Sequence, residues 1–95
     1  MKNDDDKQQL LEKKNMLIAA MASVISELVN KSGKSGRKIS AEYDIGLGLL
    51  SKVMRSKSDI KYTTLWKLSN ALQITPLEFT KMVMKKLPKD FNFFE

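Results

Sequence analysis

Apolar residues recur at three- and four-residue spacing along almost the whole of this 95-residue chain, and nowhere do they alternate as a half-buried strand requires. That period commits the chain to helices packed on helices. The longest run carries Leu10, Leu11, Leu17, Ile18, Met21, Val24, Ile25, Leu28 and Val29, and predicts an amphipathic helix over residues 7–30. Asp4, Asp5 and Asp6 lie ahead of it, where acids cap a first turn and complement the helix dipole; they are read as caps, not as a metal site. The glycines and serines of Lys31-Ser32-Gly33-Lys34-Ser35-Gly36 then break the pattern.

Four shorter helices are expected beyond the break. Ser35 can cap the second, which carries Arg37, Lys38, Ile39, Glu42 and Tyr43 and ends at Asp44, a residue type that tolerates a left-handed turn. A third runs from about Gly46 to Arg55, followed by the polar loop Ser56-Lys57-Ser58-Asp59. Tyr62 to Leu72 forms the fourth, with Leu65, Leu68 and Leu72 on one side. The fifth opens on Thr75-Pro76-Leu77-Glu78, a capping box with proline in the first helical position, with Ile74 and Phe79 as its hydrophobic staple. It should reach Leu87 and stop before Pro88, leaving residues 88–95 as a tail with Phe91, Phe93 and Phe94. Trp66 is expected to pack between helices 4 and 5, and the six methionines to fill gaps in the core.

A chain of this length supports one domain, residues 1–95, because it buries only about two thirds of its unfolded surface. With 42 % apolar and 29 % charged residues its composition is that of a globular domain. The absence of cysteine rules out a disulfide framework, a thiolate nucleophile and cysteine-type zinc sites. Histidine is absent too, which removes the usual acid or base near neutral pH and the commonest transition-metal ligand. The expectation is therefore no enzyme, no cofactor and no metal. Met16 to Val29, interrupted by Ser23, Ser26 and Glu27, falls short of the roughly twenty apolar residues a membrane span needs. The N-terminal acids do not suit an export signal, so a cytoplasmic protein is expected.

Charge is distributed unevenly. Residues 1–30 hold four lysines against five acids, residues 31–61 hold eight Lys or Arg against three, and residues 62–95 hold five against three. Most of the formal +6 thus falls on the middle third, as expected of a segment that lies along a polyphosphate. Two short helices joined by a tight turn and carrying that charge have the outline of a helix-turn-helix.

From Ser35 to Phe79 the chain resembles the lambda repressor and Cro family of regulators, often called the Xre family. The resemblance rests on Ser35, Ile39, Glu42-Tyr43-Asp44-Ile45, Leu50-Ser51-Lys52-Val53, Thr63-Thr64-Leu65-Trp66-Lys67-Leu68 and the pair Ala71-Leu72, in that order. It implies an all-α, five-helix lambda-repressor-like DNA-binding domain with an extended first helix, a helix-turn-helix at residues 35–55 and helices 4 and 5 within residues 62–87. Arg37 to Tyr43 would be the supporting helix and Leu47 to Arg55 the recognition helix, with Ile39, Ile45, Leu50 and Val53 in the core. On the same resemblance Leu47, Gly48, Ser51, Lys52 and Arg55 fall where relatives meet base edges or adjacent phosphates, and Arg37, Lys38, Lys57 and Lys61 could touch the backbone of double-stranded DNA.

Three departures qualify the resemblance. Leu47, Gly48 and Leu49 stand where many members place hydrogen-bonding residues, so they offer thymine methyls an apolar contact or a protein partner an exposed patch. Ser56 and Ile60 replace a common glycine and proline, which points to a loop of different shape. A buried Arg–Glu pair of many relatives maps onto Val29 and Met54, which are expected to pack together as an apolar pair. The function implied is a sequence-specific transcriptional regulator, and the alternative is an antitoxin-like protein-interaction module. A homodimer is expected because one helix-turn-helix covers one half-site, with spare apolar surface at Leu10, Leu11 and, as the expected interface, Phe91, Phe93 and Phe94.

Overall fold

A computed structural model describes residues 4–94. Five helices form: α1 (Asp4–Ser32), α2 (Gly36–Tyr43), α3 (Leu47–Met54), α4 (Tyr62–Ala71) and α5 (Pro76–Lys85), with no strand among the described residues. None is long and apolar enough to cross a membrane.

The helix α1 sets the long dimension of the molecule. Its 29 residues, at about 1.5 Å each, account for nearly all of the 45 Å extent. It starts three residues before the expected position 7, so the aspartates lie in its first turn, and the position that would cap it lies outside the described residues. Ala20, Met21, Val24, Ile25 and Val29 are buried along one side, whereas no residue from Asp6 to Ala19 is. The first half of α1 therefore projects past the core, and the second half is the wall on which α3 and α5 pack.

Three of the remaining helices end in the same way. Asp44 (φ 54°), Ser56 (φ 60°) and Gln73 (φ 62°) adopt the left-handed conformation just past α2, α3 and α4. After each, an amide one residue on reaches back five residues: Ile45 N–H to Ser40 O at 3.1 Å, Lys57 to Lys52 at 2.8 Å, Ile74 to Ser69 at 3.0 Å. These are Schellman closures, which occupy carbonyls that the helix end would otherwise orphan. The α3–α4 loop thus holds Ser56 in the conformation that a glycine adopts without strain.

The fifth helix starts as its sequence dictates. Thr75 accepts from the Glu78 amide at 3.0 Å, Glu78 accepts from the Thr75 amide at 3.4 Å, and Pro76 occupies the first helical position. Phe79 is buried and Ile74 packs half-buried against the same core. The helix ends at Lys85, two residues short of Leu87, because Lys86 and Leu87 close i→i−3 bonds to Val83 and Met84 ahead of Pro88.

One apolar cluster joins all five helices. Val24, Ile25 and Val29 of α1 meet Ile39, Leu50, Val53, Leu68, Ala71, Phe79 and Val83, with Ile45 from the α2–α3 turn. Met54 packs half-buried against it, so Val29 and Met54 share one apolar cluster. Burial of Phe79, Ile25, Leu50 and Leu68 contributes about 1.5–3 kcal/mol each before conformational entropy is counted. The buried Ser69 donates to the Leu65 carbonyl at 2.8 Å, so it brings no unsatisfied hydroxyl into the core. At the surface Lys86 holds Glu27, tying the end of α5 to α1, and that hydrogen bond lowers the Glu27 pKa from 4.5.

Two expectations need correction. Trp66 sits over the seam between α4 and α5 but remains 47 % exposed, so it is not interior packing. Met21, Met54 and Met82 do fill or flank the core, whereas Met16 and Met84 face outward and Met1 lies outside the described residues.

Candidate nucleic-acid interface

The pair α2 and α3 is built by local rules. Ser35 Oγ accepts from the Lys38 amide at 3.1 Å and so starts α2. Left-handed Asp44 ends it, and the Ser40 hydroxyl donates to the Ile45 carbonyl across the turn. Gly46 then begins α3 without a side-chain cap, its carbonyl accepting from Leu50 at 2.9 Å. Ile39, Ile45, Leu50 and Val53 are all buried, so the turn is pinned from inside by the residues expected there. Lys67 of α4 braces it from outside, donating to the Asp44 carbonyl at 3.1 Å and facing its carboxylate at 3.6 Å.

Burial of Leu50 and Val53 decides which side of α3 faces out. Gly48, Ser51, Lys52 and Arg55 recur at three- and four-residue spacing on the opposite side, and all four are exposed. Leu47 and Leu49 flank this stripe at 42 % and 38 % exposure. A Cβ built on Gly48 meets nothing within 4 Å, so no contact inside the molecule requires a glycine there.

All nine residues expected to meet DNA, namely Arg37, Lys38, Leu47, Gly48, Ser51, Lys52, Arg55, Lys57 and Lys61, lie exposed on α2, α3 or the α3–α4 loop. Their charges are not equally available. Glu42 is shared between Lys34 at 3.2 Å and Lys38 at 4.0 Å, which commits much of the charge on that side of α2. The Glu42 hydrogen bond raises the Lys34 pKa, and the same ammonium stands 5.3 Å from the Tyr43 ring centroid. By contrast Arg37, Lys52, Arg55, Lys57 and Lys61 have no carboxylate partner among the described residues. Arg55 Nε donates to the Ser51 carbonyl at 3.3 Å, which orients the guanidinium and leaves its outer nitrogens open.

The surface so formed carries exposed cations on and around α3, with two leucines beside them. It offers hydrogen-bond donors in excess of acceptors, which suits phosphate oxygens and guanine edges. Sequence inspection did not find the exposed set Tyr62, Trp66 and Leu77 beside the α4–α5 seam. Its signal was an excess of apolar residues in α5, but the period alone does not say which of them face inward.

Compared with family models, with curated proteins and with solved structures, the chain matches none of them.

Proposed function

We propose that this chain is a sequence-specific DNA-binding transcriptional regulator with lambda-repressor-like architecture, α3 entering the major groove and α2 lying across it. One observation carries the reading: five cations at and around the outward face of α3 have no acidic partner among the described residues, while Lys34, Lys38 and Lys67 nearby are paired. A groove about 12 Å wide admits a helix whose outward stripe is Gly48, Ser51, Lys52 and Arg55. Lys57 and Lys61 flank it in the loop, and Arg37 at the start of α2, as backbone contacts would.

A second reading rests on Leu47 and Leu49. Two large apolar side chains exposed at the start of α3 favour a protein contact, as an antitoxin-like module would make. Titration of duplex DNA at two salt concentrations separates the two. Lys52→Ala and Arg55→Ala should each weaken binding several-fold and lower the log–log salt slope by about 1, while Leu47→Ala shifts preference at an A·T step. Unchanged affinity in both charge variants overturns the DNA reading. Loss of a protein complex in Leu47→Ala and Leu49→Ala, with the charge variants unaffected, establishes the other.

A further inference from the structure

The tail folds back on the end of α5 and encloses a hollow. Beyond the last turn of the helix the chain turns through Lys89 and Asp90, and the Phe91 amide donates to the Pro88 carbonyl at 3.0 Å. That turn brings Phe91 back to the same hollow as Met84. Phe93 stands edge-on against Phe91, ring centroids 5.8 Å apart at 77°, a contact that holds a half-buried ring in place. The hollow measures about 470 Å³ and is lined by Met84, Lys85, Leu87, Pro88, Lys89 and Phe91. It falls within the roughly 300–1,000 Å³ of small-molecule sites. Leu87 packs half-buried on the core, so one wall is anchored to the fold.

Its polar groups are all of one kind. Lys85 and Lys89 have no carboxylate partner among the described residues, and the neighbouring Asp90 pairs with neither. Lys86, by contrast, is committed to Glu27. The Val83, Met84 and Pro88 carbonyls are occupied by the amides of Lys86, Leu87 and Phe91, so these acceptors do not compete for the two ammonium groups. A lysine in the last turn of a helix is ordinary, because it complements the dipole. Lys89 lies beyond the helix, and the dipole does not account for its place beside the same hollow.

We infer that this hollow binds a small amphipathic acid, an aliphatic or aromatic body carrying one carboxylate. The body lies against Met84, Leu87, Pro88 and Phe91, and the carboxylate meets Lys85 and Lys89, which are exposed at its edge. Two other surface hollows lack this combination. The groove beside Trp66 holds no cation, and in the cleft formed with Lys31 and Lys34 the second lysine is already held by Glu42. Exposed ion pairs contribute little, so the apolar walls supply most of the affinity and the lysines select the acid over its neutral analogue by about three- to tenfold. The site draws no residue from α2 or α3, and its occupancy does not depend on the DNA-binding reading.

Amide shifts of the nitrogen-15-labelled full chain, titrated without DNA to about 1 mM ligand, test the inference. Octanoate and 1-naphthoate separate an aliphatic from an aromatic body, with octan-1-ol and 1-naphthalenemethanol as their neutral counterparts. At least one acid should move the amides of residues 84–91 and bind more tightly than its alcohol. The double variant Lys85→Gln with Lys89→Gln should keep the parent's helix content and lose that preference, while Phe91→Ala weakens acid and alcohol alike. Leu77→Glu, at the other end of α5, should bind as the parent does. Unmoved amides with both acids overturn the proposal, and if phosphatidylglycerol vesicles then sediment the chain, the face belongs to a lipid surface instead. Equal affinity for acid and alcohol, or binding weakened as much by Leu77→Glu as by Phe91→Ala, overturns it too.

Discussion

Helices α3 and α5 are nearly the same length and each buries two side chains, Leu50 and Val53 in one and Phe79 and Val83 in the other. They differ at their ends and on their outer sides. The fifth helix carries its own start signal, a complete capping box with proline, so its position in the chain is settled locally. The third begins at a bare Gly46 with no side-chain cap, and it holds its place through Leu50, Val53 and the left-handed closure at Ser56. Outward, α3 shows glycine, serine and two cations where α5 shows Leu77 and Met84. A helix positioned by packing can leave its outer stripe and its first amides to a polar, charged ligand, whereas one with an apolar outer line leaves surface that water disfavours.

The sharpest way to break this contrast is through the wall that both helices share. Val29, buried in α1, packs in the common core, so Val29→Arg should cost about 3–5 kcal/mol in a denaturant titration by leaving a buried charge unpaired. A variant that melts like the parent would place Val29 outside the core and undo the packing of α1 on α3.

Capping provides a smaller test. Thr75→Ala removes the hydroxyl half of the reciprocal cap on α5, while the backbone amide at that position can still donate to Glu78, and it should lower stability by about 1 kcal/mol, read from the same titration. If it costs nothing, α5 is held by packing alone and resembles α3 after all.

The closure of α3 comes next in size. Ser56 sits at φ 60°, a conformation that costs a residue with a side chain about 1–2 kcal/mol, while glycine loses more freedom on folding. Ser56→Gly should therefore raise stability by about 0.5 kcal/mol, seen as a higher melting temperature. A lower one would mean that the Ser56 side chain offsets the strain. Smallest of all, Gly46→Ser should add only a few tenths of a kcal/mol to α3. A gain as large as the Thr75→Ala loss would show that the missing cap, and not packing, limits α3.

Much of the fold was legible because its punctuation is local. Ser35, Asp44 and the Thr75–Glu78 box act on amides within three or four residues of themselves, so they mark helix ends in any tertiary setting. The inner face of α3 was expected from the resemblance, which put Leu50 and Val53 in the core; the period alone did not single them out, because Leu47, Leu49 and Met54 make the same stretch apolar on more than one side. The cations of residues 31–61 were visible as a cluster, but not all of their pairing: Lys38 and Glu42 stand at i, i+4 spacing on α2, whereas Lys34 reaches Glu42 from the turn ahead of that helix and Lys67 reaches Asp44 from α4.

By itself the sequence determined five helices, where most of them start and stop, and where positive charge accumulates, because periodicity, caps and composition are properties of short stretches. Only the tertiary structure decided that Leu77 and Met84 face outward while Phe79 and Val83 face in, that Trp66 is half-exposed over the α4–α5 seam, and that Lys67 pairs with Asp44. The physical reason is that α5 is apolar on more than one side. Which side is buried depends on α1 and α4, whose contacts come from residues distant in the chain, and no local rule chooses between them.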